Sequence, residues 1–195
     1  MKKLVPEKAI LIPDNAKSVF EGVIYEVYQW PQRLFDGTSA TFEMLKRPDT
    51  VGAMCIVEDK ILVLNDEQPH RGARLTFPGG RSDADEDMTQ AIKREVQEET
   101  GFRFKNWRLL KVKQPHTKIE WFIYTYLAWD VEARTDPHLD GGEKITVEHL
   151  PFEKVKQLVV EKVGYLGEEE DLFMNANSAQ DLLLLPEFRG KEVDR

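Results

Sequence analysis

The chain has 195 residues, with 27 Lys and Arg against 35 Asp and Glu, a formal net charge of −8. That length fits one ordinary domain with appendages and needs no disulfide or structural metal, and the 41% hydrophobic and 10% aromatic fractions exclude wholesale disorder. The negative charge argues against a general binder of nucleic acid or anionic membrane, while the lone cysteine, Cys55, excludes an intramolecular disulfide framework and fits a reducing compartment.

Residues 1–18, with Pro6, Pro13 and Asp14-Asn15, read as an irregular lead-in, and Glu7 and Lys8 interrupt any apolar signal core. Phe20–Trp30 and Ala40–Lys46 flank Pro31 and Asp36-Gly37 and predict an antiparallel hairpin with a longer loop. Thr50–Val57 and Ile61–Leu64 predict a second strand pair across Glu58-Asp59-Lys60. Leu75-Thr76-Phe77 runs into Pro78-Gly79-Gly80, where a strand must stop, and an acidic loop, Asp83–Asp87, follows. Met88, Ala91, Ile92 and Val96 then recur at helical spacing, with Gly101 placed for a left-handed cap. Phe102–Val112 and Ile119–Trp129 read as strands, the latter apolar on both faces and therefore central. A short strand at Ile145–Val147, a helix entered through Pro151 and a last helix over about Asn175–Leu185, stopped by Pro186, complete the order. The texture divides the chain into a lead-in and hairpin extension, 1–47, and a main domain, 48–195. No stretch approaches the roughly 18 apolar residues of a membrane span, so a soluble, cytoplasmic protein is expected.

The chemistry lies between Gly80 and Phe102. On the predicted helix Glu95, Glu98 and Glu99 are three and four residues apart and share a face, with Cβ atoms about 5–6 Å apart. Like charges at that spacing oppose helix formation in water, and a hard divalent cation with oxygen ligands removes the conflict. Glu86 reaches the same region, and Arg94, four residues before Glu98, can hold that carboxylate in one orientation. A generic acidic helix face is usually only solvated; the flanking residues reverse that reading. The segment fits G-x5-E-x7-R-E-U-x-E-E-x-G-U, U being a bulky apolar residue, at Gly80, Glu86, Arg94, Glu95, Val96, Glu98, Glu99, Gly101 and Phe102. Chance gives such a match on the order of 10⁻⁸ per starting position.

That pattern resembles the signature of the Nudix hydrolases. The resemblance implies an α+β fold, an α/β/α sandwich with a mixed sheet, and metal-dependent hydrolysis of a nucleoside diphosphate linked to another moiety. Carried over by position, it implies Glu95, Glu98 and Glu99 as ligands of Mg²⁺ or Mn²⁺, with a backbone carbonyl near Gly79 completing the set. Gly80, Glu86 and Gly101 are the supporting box residues. The layout before the box is similar to the ADP-ribose and nucleotide-sugar pyrophosphatase branch, whose N-terminal hairpin pairs subunits into a homodimer. Arg47, Arg71 and His70 are the substrate-contact candidates, since a guanidinium matches phosphate in a bidentate way. Glu143, in the late loop Asp140–Ile145, is expected to approach the site as base or ligand, so that Glu98, Glu143 and Arg94 carry catalysis. Pro115-His116 departs from the branch, as does Gly141 where relatives place an acid. ADP-ribose, cleaved to AMP and ribose 5-phosphate, is the leading substrate. The alternatives are hydrolysis of nucleoside triphosphates or other dinucleotides, and a catalytically silent sensor of nucleotide sugars. The net charge disfavours an RNA substrate.

Overall fold

Alternation along Thr50–Val57 organises the molecule. Val51, Ala53 and Cys55 point to one side and Met54 and Ile56 to the other, each set entering a different core. In the computed structural model, which describes residues 2–84, 86–139 and 141–194, the elements in chain order are as follows. The first half holds β1 (Lys2–Val5), β2 (Lys17–Glu21), β3 (Glu26–Arg33), β4 (Ser39–Lys46), β5 (Thr50–Val57), β6 (Lys60–Gln68), β7 (Arg71–Thr76), β8 (Gly79–Arg81) and α1 (Met88–Thr100). The second holds β9 (Phe102–Lys113), β10 (Ile119–Glu120), β11 (Ile123–Arg134), β12 (Lys144–Pro151) and α2 (Phe152–Val160). A 3-10 turn (Leu166–Glu169), α3 (Glu170–Phe173), α4 (Ala179–Leu182) and β13 (Lys191–Asp194) end it.

The main sheet has the order β12-β6-β5-β11-β9, with β7 paired to β6 and β8 to β5. β5 and β11 run parallel, from Thr50↔Ile123 to Cys55↔Ala128, while β11 and β9 are antiparallel, so the sheet is mixed. Met88, Ala91, Ile92 and Val96 of α1 cover one face, and Phe152, Val155, Leu158 and Val159 of α2, with Phe173 and Leu182, cover the other. This is the expected α+β sandwich. β11 is interior, as its two-faced apolarity required, but the run read from Ile119 breaks at Trp121 and Phe122, and Ile119–Glu120 joins the smaller sheet as β10.

Three expectations are revised. The run Phe20–Trp30 is not one strand: the Gly22 N–H donates to the Tyr25 carbonyl at 2.9 Å, turning the chain so that β2 pairs antiparallel with β3. The extension is therefore three-stranded, with β10 adding in parallel beyond β4. The lead-in is not irregular throughout, because β1 pairs with β13 at the far end of the chain and Val5 enters the α1-side core. The last helix shrinks to α4. The Ser178 hydroxyl accepts from the Asp181 N–H, and the amides of Leu183, Leu184 and Leu185 all bond three residues back, so this stretch winds as tight turns up to Pro186. Among the described residues no helix is long and apolar enough to cross a membrane.

Candidate active site

Two glycines bring the loop before α1 against its acidic face. Gly79 has φ +148°, and a Cβ there would lie 2.1 Å from the Val51 carbonyl oxygen. At Gly80 a Cβ would lie 2.6 Å from a Glu95 carboxylate oxygen. At Gly79 the obstacle is backbone, so only glycine lets the chain pass so close, whereas at Gly80 it is a side-chain carboxylate that would have to shift. The Gly79 N–H donates to Glu99 Oε2 at 2.7 Å.

The helix is fixed at both ends. Asp87 caps its N-terminus by accepting from the amides of Thr89 and Gln90, and Gly101, at φ 74°, closes the C-terminus through its N–H to the Gln97 carbonyl. Arg94 is the hub of the acidic face. Its Nε and Nη2 donate to the two oxygens of Glu86 at 3.0 and 2.9 Å, and its Nη1 to Glu95 at 2.9 Å and Glu98 at 3.0 Å. The Arg94 bonds hold the Glu86 carboxyl below its ordinary range. Burial pushes the Glu95 carboxyl up to about 6, against the opposing Arg94, with the charges of Glu98 and Glu143 adding. Burial drives Glu99 well above the carboxylate range despite the Gly79 N–H, with Glu95, Glu143 and Asp66 adding to the rise.

Glu143 is half-buried just before β12 and near enough for its charge to be felt by Glu95 and Glu99. Asp140, at the start of that loop, lies outside the described residues. Among the described residues no three acidic, histidine or cysteine side chains enclose a point where an ion would sit. The donor chemistry nevertheless fits a hard divalent cation. Three carboxylates crowd one face, two of them penalised in their charged form, and the guanidinium of Arg94 bridges Glu95 and Glu98.

Beside Gly79 and Gly80 opens a cavity of about 440 Å³. Arg47 lines it, its guanidinium 4.5 Å from the Trp121 ring centroid and 5.7 Å from that of Tyr25, and its buried Nε has no hydrogen-bond partner among the described residues. Arg71 lines it too, held by an ion pair to Asp66 and by a 3.2 Å bond to the Asp66 carbonyl. His70 is exposed in the β6–β7 turn and is not part of this wall. The aromatic residues Trp30 and Phe42 pack on each other 5.1 Å apart in a small cluster of the extension.

Residues 46–166 match the family model described as the NUDIX domain. The chain belongs to the Nudix family. As a Nudix hydrolase it is 23% identical over 155 residues to the ADP-ribose pyrophosphatase of Bacillus subtilis (strain 168), an overlap of 76% of this chain and 83% of that protein. It is 24% identical over 170 residues to the methanol dehydrogenase activator of Bacillus methanolicus, covering 85% of this chain and 89% of the relative. A crystal structure of an "ADP compounds hydrolase" superposes with a TM-score of 0.62 at 21% identity, covering 93% of this chain and 94% of that one, a likeness of fold.

Several residues of the Nudix cleft escaped the sequence reading. Asp66 follows from strand alternation once β6 is known to extend to Gln68, but the apolar run that suggested the strand ends at Leu64. Trp121 reads as core and instead supports Arg47. Tyr165, Glu168 and Glu169 form the far wall, on a 3-10 turn and the residue before it that no periodicity announces.

Proposed function

We propose that this Nudix hydrolase cleaves the pyrophosphate bond of a nucleoside diphosphate linked to a sugar, with ADP-ribose the first substrate to examine. The observation that carries the reading is the junction of the crowded glutamate face, through Gly79 and Gly80, with a cavity lined by Arg47 and Arg71. The Bacillus subtilis relative, an ADP-ribose pyrophosphatase by name, supports the same class.

Glu95, Glu98 and Glu99 would hold Mg²⁺ or Mn²⁺, which when bound neutralises phosphate oxygens and lowers the pKa of the attacking water. Arg94 aligns Glu95 and Glu98, and Glu86 in turn holds Arg94. The orphaned Nε of Arg47 is a donor waiting for a phosphate or ribose oxygen, its plane preset by the flanking rings. Glu143 takes the proton of the attacking water, a role suited to a carboxylate whose neighbours are also acidic. The enzyme is further proposed to work as a cytoplasmic homodimer.

The test compares kcat/KM for ADP-ribose, other nucleotide sugars, dinucleoside polyphosphates and nucleoside triphosphates with Mg²⁺. ADP-ribose or another nucleotide sugar should lead. A tenfold preference for triphosphates, about 1.4 kcal/mol in the transition state, would overturn the substrate assignment. Activity should vanish in EDTA, and Glu98→Gln should lower turnover by roughly a hundredfold or more with an unchanged melting temperature. Glu143→Gln should lower kcat more than it changes KM.

A further inference from the structure

The cavity beside Gly79 has two unlike ends. Arg47, Arg71 and Arg81 furnish cations on one part of its lining, whereas Glu168 and Glu169 face it from the 3-10 turn. Glu169 is buried, 7% exposed, and both of its oxygens are held: the Thr125 hydroxyl donates to Oε1 at 3.0 Å and Lys111 Nζ to Oε2 at 3.3 Å. Thr125 and Lys111 are cross-strand partners in the β11–β9 register, so the sheet itself aims this carboxylate. Lys111 also binds Asp171 at 2.5 Å, and Lys113 binds Glu168 at 2.5 Å. Three carboxylates thus share two ammonium groups, so acidic side chains outnumber basic ones along this wall. A carboxylate has about four lone-pair directions, of which Glu169 spends two here.

From this geometry we infer that Glu169 is a specificity-determining residue: it accepts hydrogen bonds from the uncharged, donor-bearing end of the substrate and turns away a further phosphate. The inference rests on the pyrophosphatase reading above and adds the polarity of binding to it. The diphosphate lies toward the glycines and Arg47, and paired O–H or N–H donors lie toward Glu169. A nucleoside triphosphate would set a third phosphate either against this wall or out of the cavity. Two groups carry such donors, the vicinal hydroxyls of a sugar and the amino edge of a base, and a substrate series separates them.

The experiment measures kcat and KM of the wild type and Glu169→Gln on two series, one varying the base (ADP-, GDP- and UDP-glucose) and one varying the sugar (ADP-ribose against ADP-glucose), with ATP alongside. Calorimetry with pyrophosphate and Mg²⁺ follows the other end of the cavity. The expected result is a KM rise of at least tenfold for the favoured substrate with kcat within about threefold, unchanged pyrophosphate affinity, and a narrowed preference over ATP. A loss that tracks the base series assigns the base to Glu169, and one that tracks the sugar series assigns the sugar. If Glu169→Gln fails to fold, Thr125→Val, which removes the donor to Oε1 and leaves the Glu169 carboxylate in place, should raise KM in the same direction by a smaller factor. Equal KM values in variant and wild type overturn the inference and leave the pyrophosphatase reading intact. If the wild type cleaves no nucleotide sugar, that reading falls; nucleotide-sugar affinity measured by calorimetry in both proteins then decides the role of Glu169 separately.

Discussion

Arg94 serves four carboxylate oxygens at once, two on Glu86 and one each on Glu95 and Glu98. Its fork grips Glu86 from two directions, a geometry a lysine ammonium does not reproduce. Because the folded state holds the Glu86 carboxyl down, the stabilisation it provides is present above its ordinary value of 4.5 and is lost as the pH falls through the lower folded value. Glu86→Gln should therefore cost about 1–2 kcal/mol at pH 7, the range of a charge-assisted bond discounted for partial exposure. Denaturant melts at pH 7 and pH 3 measure it: the gap between wild type and variant should shrink at the lower pH. A constant gap would refute the pairing. At this scale the site was legible wherever spacing on one helix sufficed, as for Glu95, Glu98, Glu99 and Arg94. It was not legible for Glu169, whose place depends on a turn docking across two strands.

Helix α1 shows how an element is stopped as well as started. Gly101 occupies the left-handed region, and a Cβ there would stand 2.2 Å from the Thr135 carbonyl oxygen, while its own carbonyl accepts from the Thr135 N–H at 2.8 Å. Gly101→Ala should destabilise the fold by roughly 1–3 kcal/mol through both strain and clash. Asparagine tolerates the left-handed conformation but still carries a Cβ, so Gly101→Asn should recover little of the loss in the same thermal melts. Full recovery would show that the clash is not felt. The sequence disclosed this helix and its cap because both are local. Local signals also misled, since β-branched and aromatic residues on both sides of Gly22 read as a single strand until the Gly22–Tyr25 turn divided them. The last helix was read too long because leucines recur through Leu182–Leu185 whether the backbone winds as α or 3-10.

Across the whole molecule the asymmetry is in what remains uncovered. Strand β2 is exposed along its entire length at the edge of the smaller sheet, and Val19, Phe20, Val23 and Ile24 leave their side chains open, Val23 at 97% exposure. An exposed, apolar edge strand invites pairing with another chain. The expected partner is a second copy, and light scattering at micromolar concentration should report about twice the 22.6 kDa chain mass. Phe20→Lys with Ile24→Lys should shift the population to monomer; a wild type that is already monomeric would refute the pairing. The β1–β13 ribbon carries a different consequence. Because Lys2 stands opposite Asp194, the described backbone runs almost as a ring, with its two ends meeting at a clasp. A short glycine linker from 194 to 2 would close that ring, and a cut at the exposed Phe35–Gly37 turn would reopen it elsewhere without separating any strand pair of the main sheet. Such a rearranged gene should still yield the same globule, with its ends now at the tip of the extension.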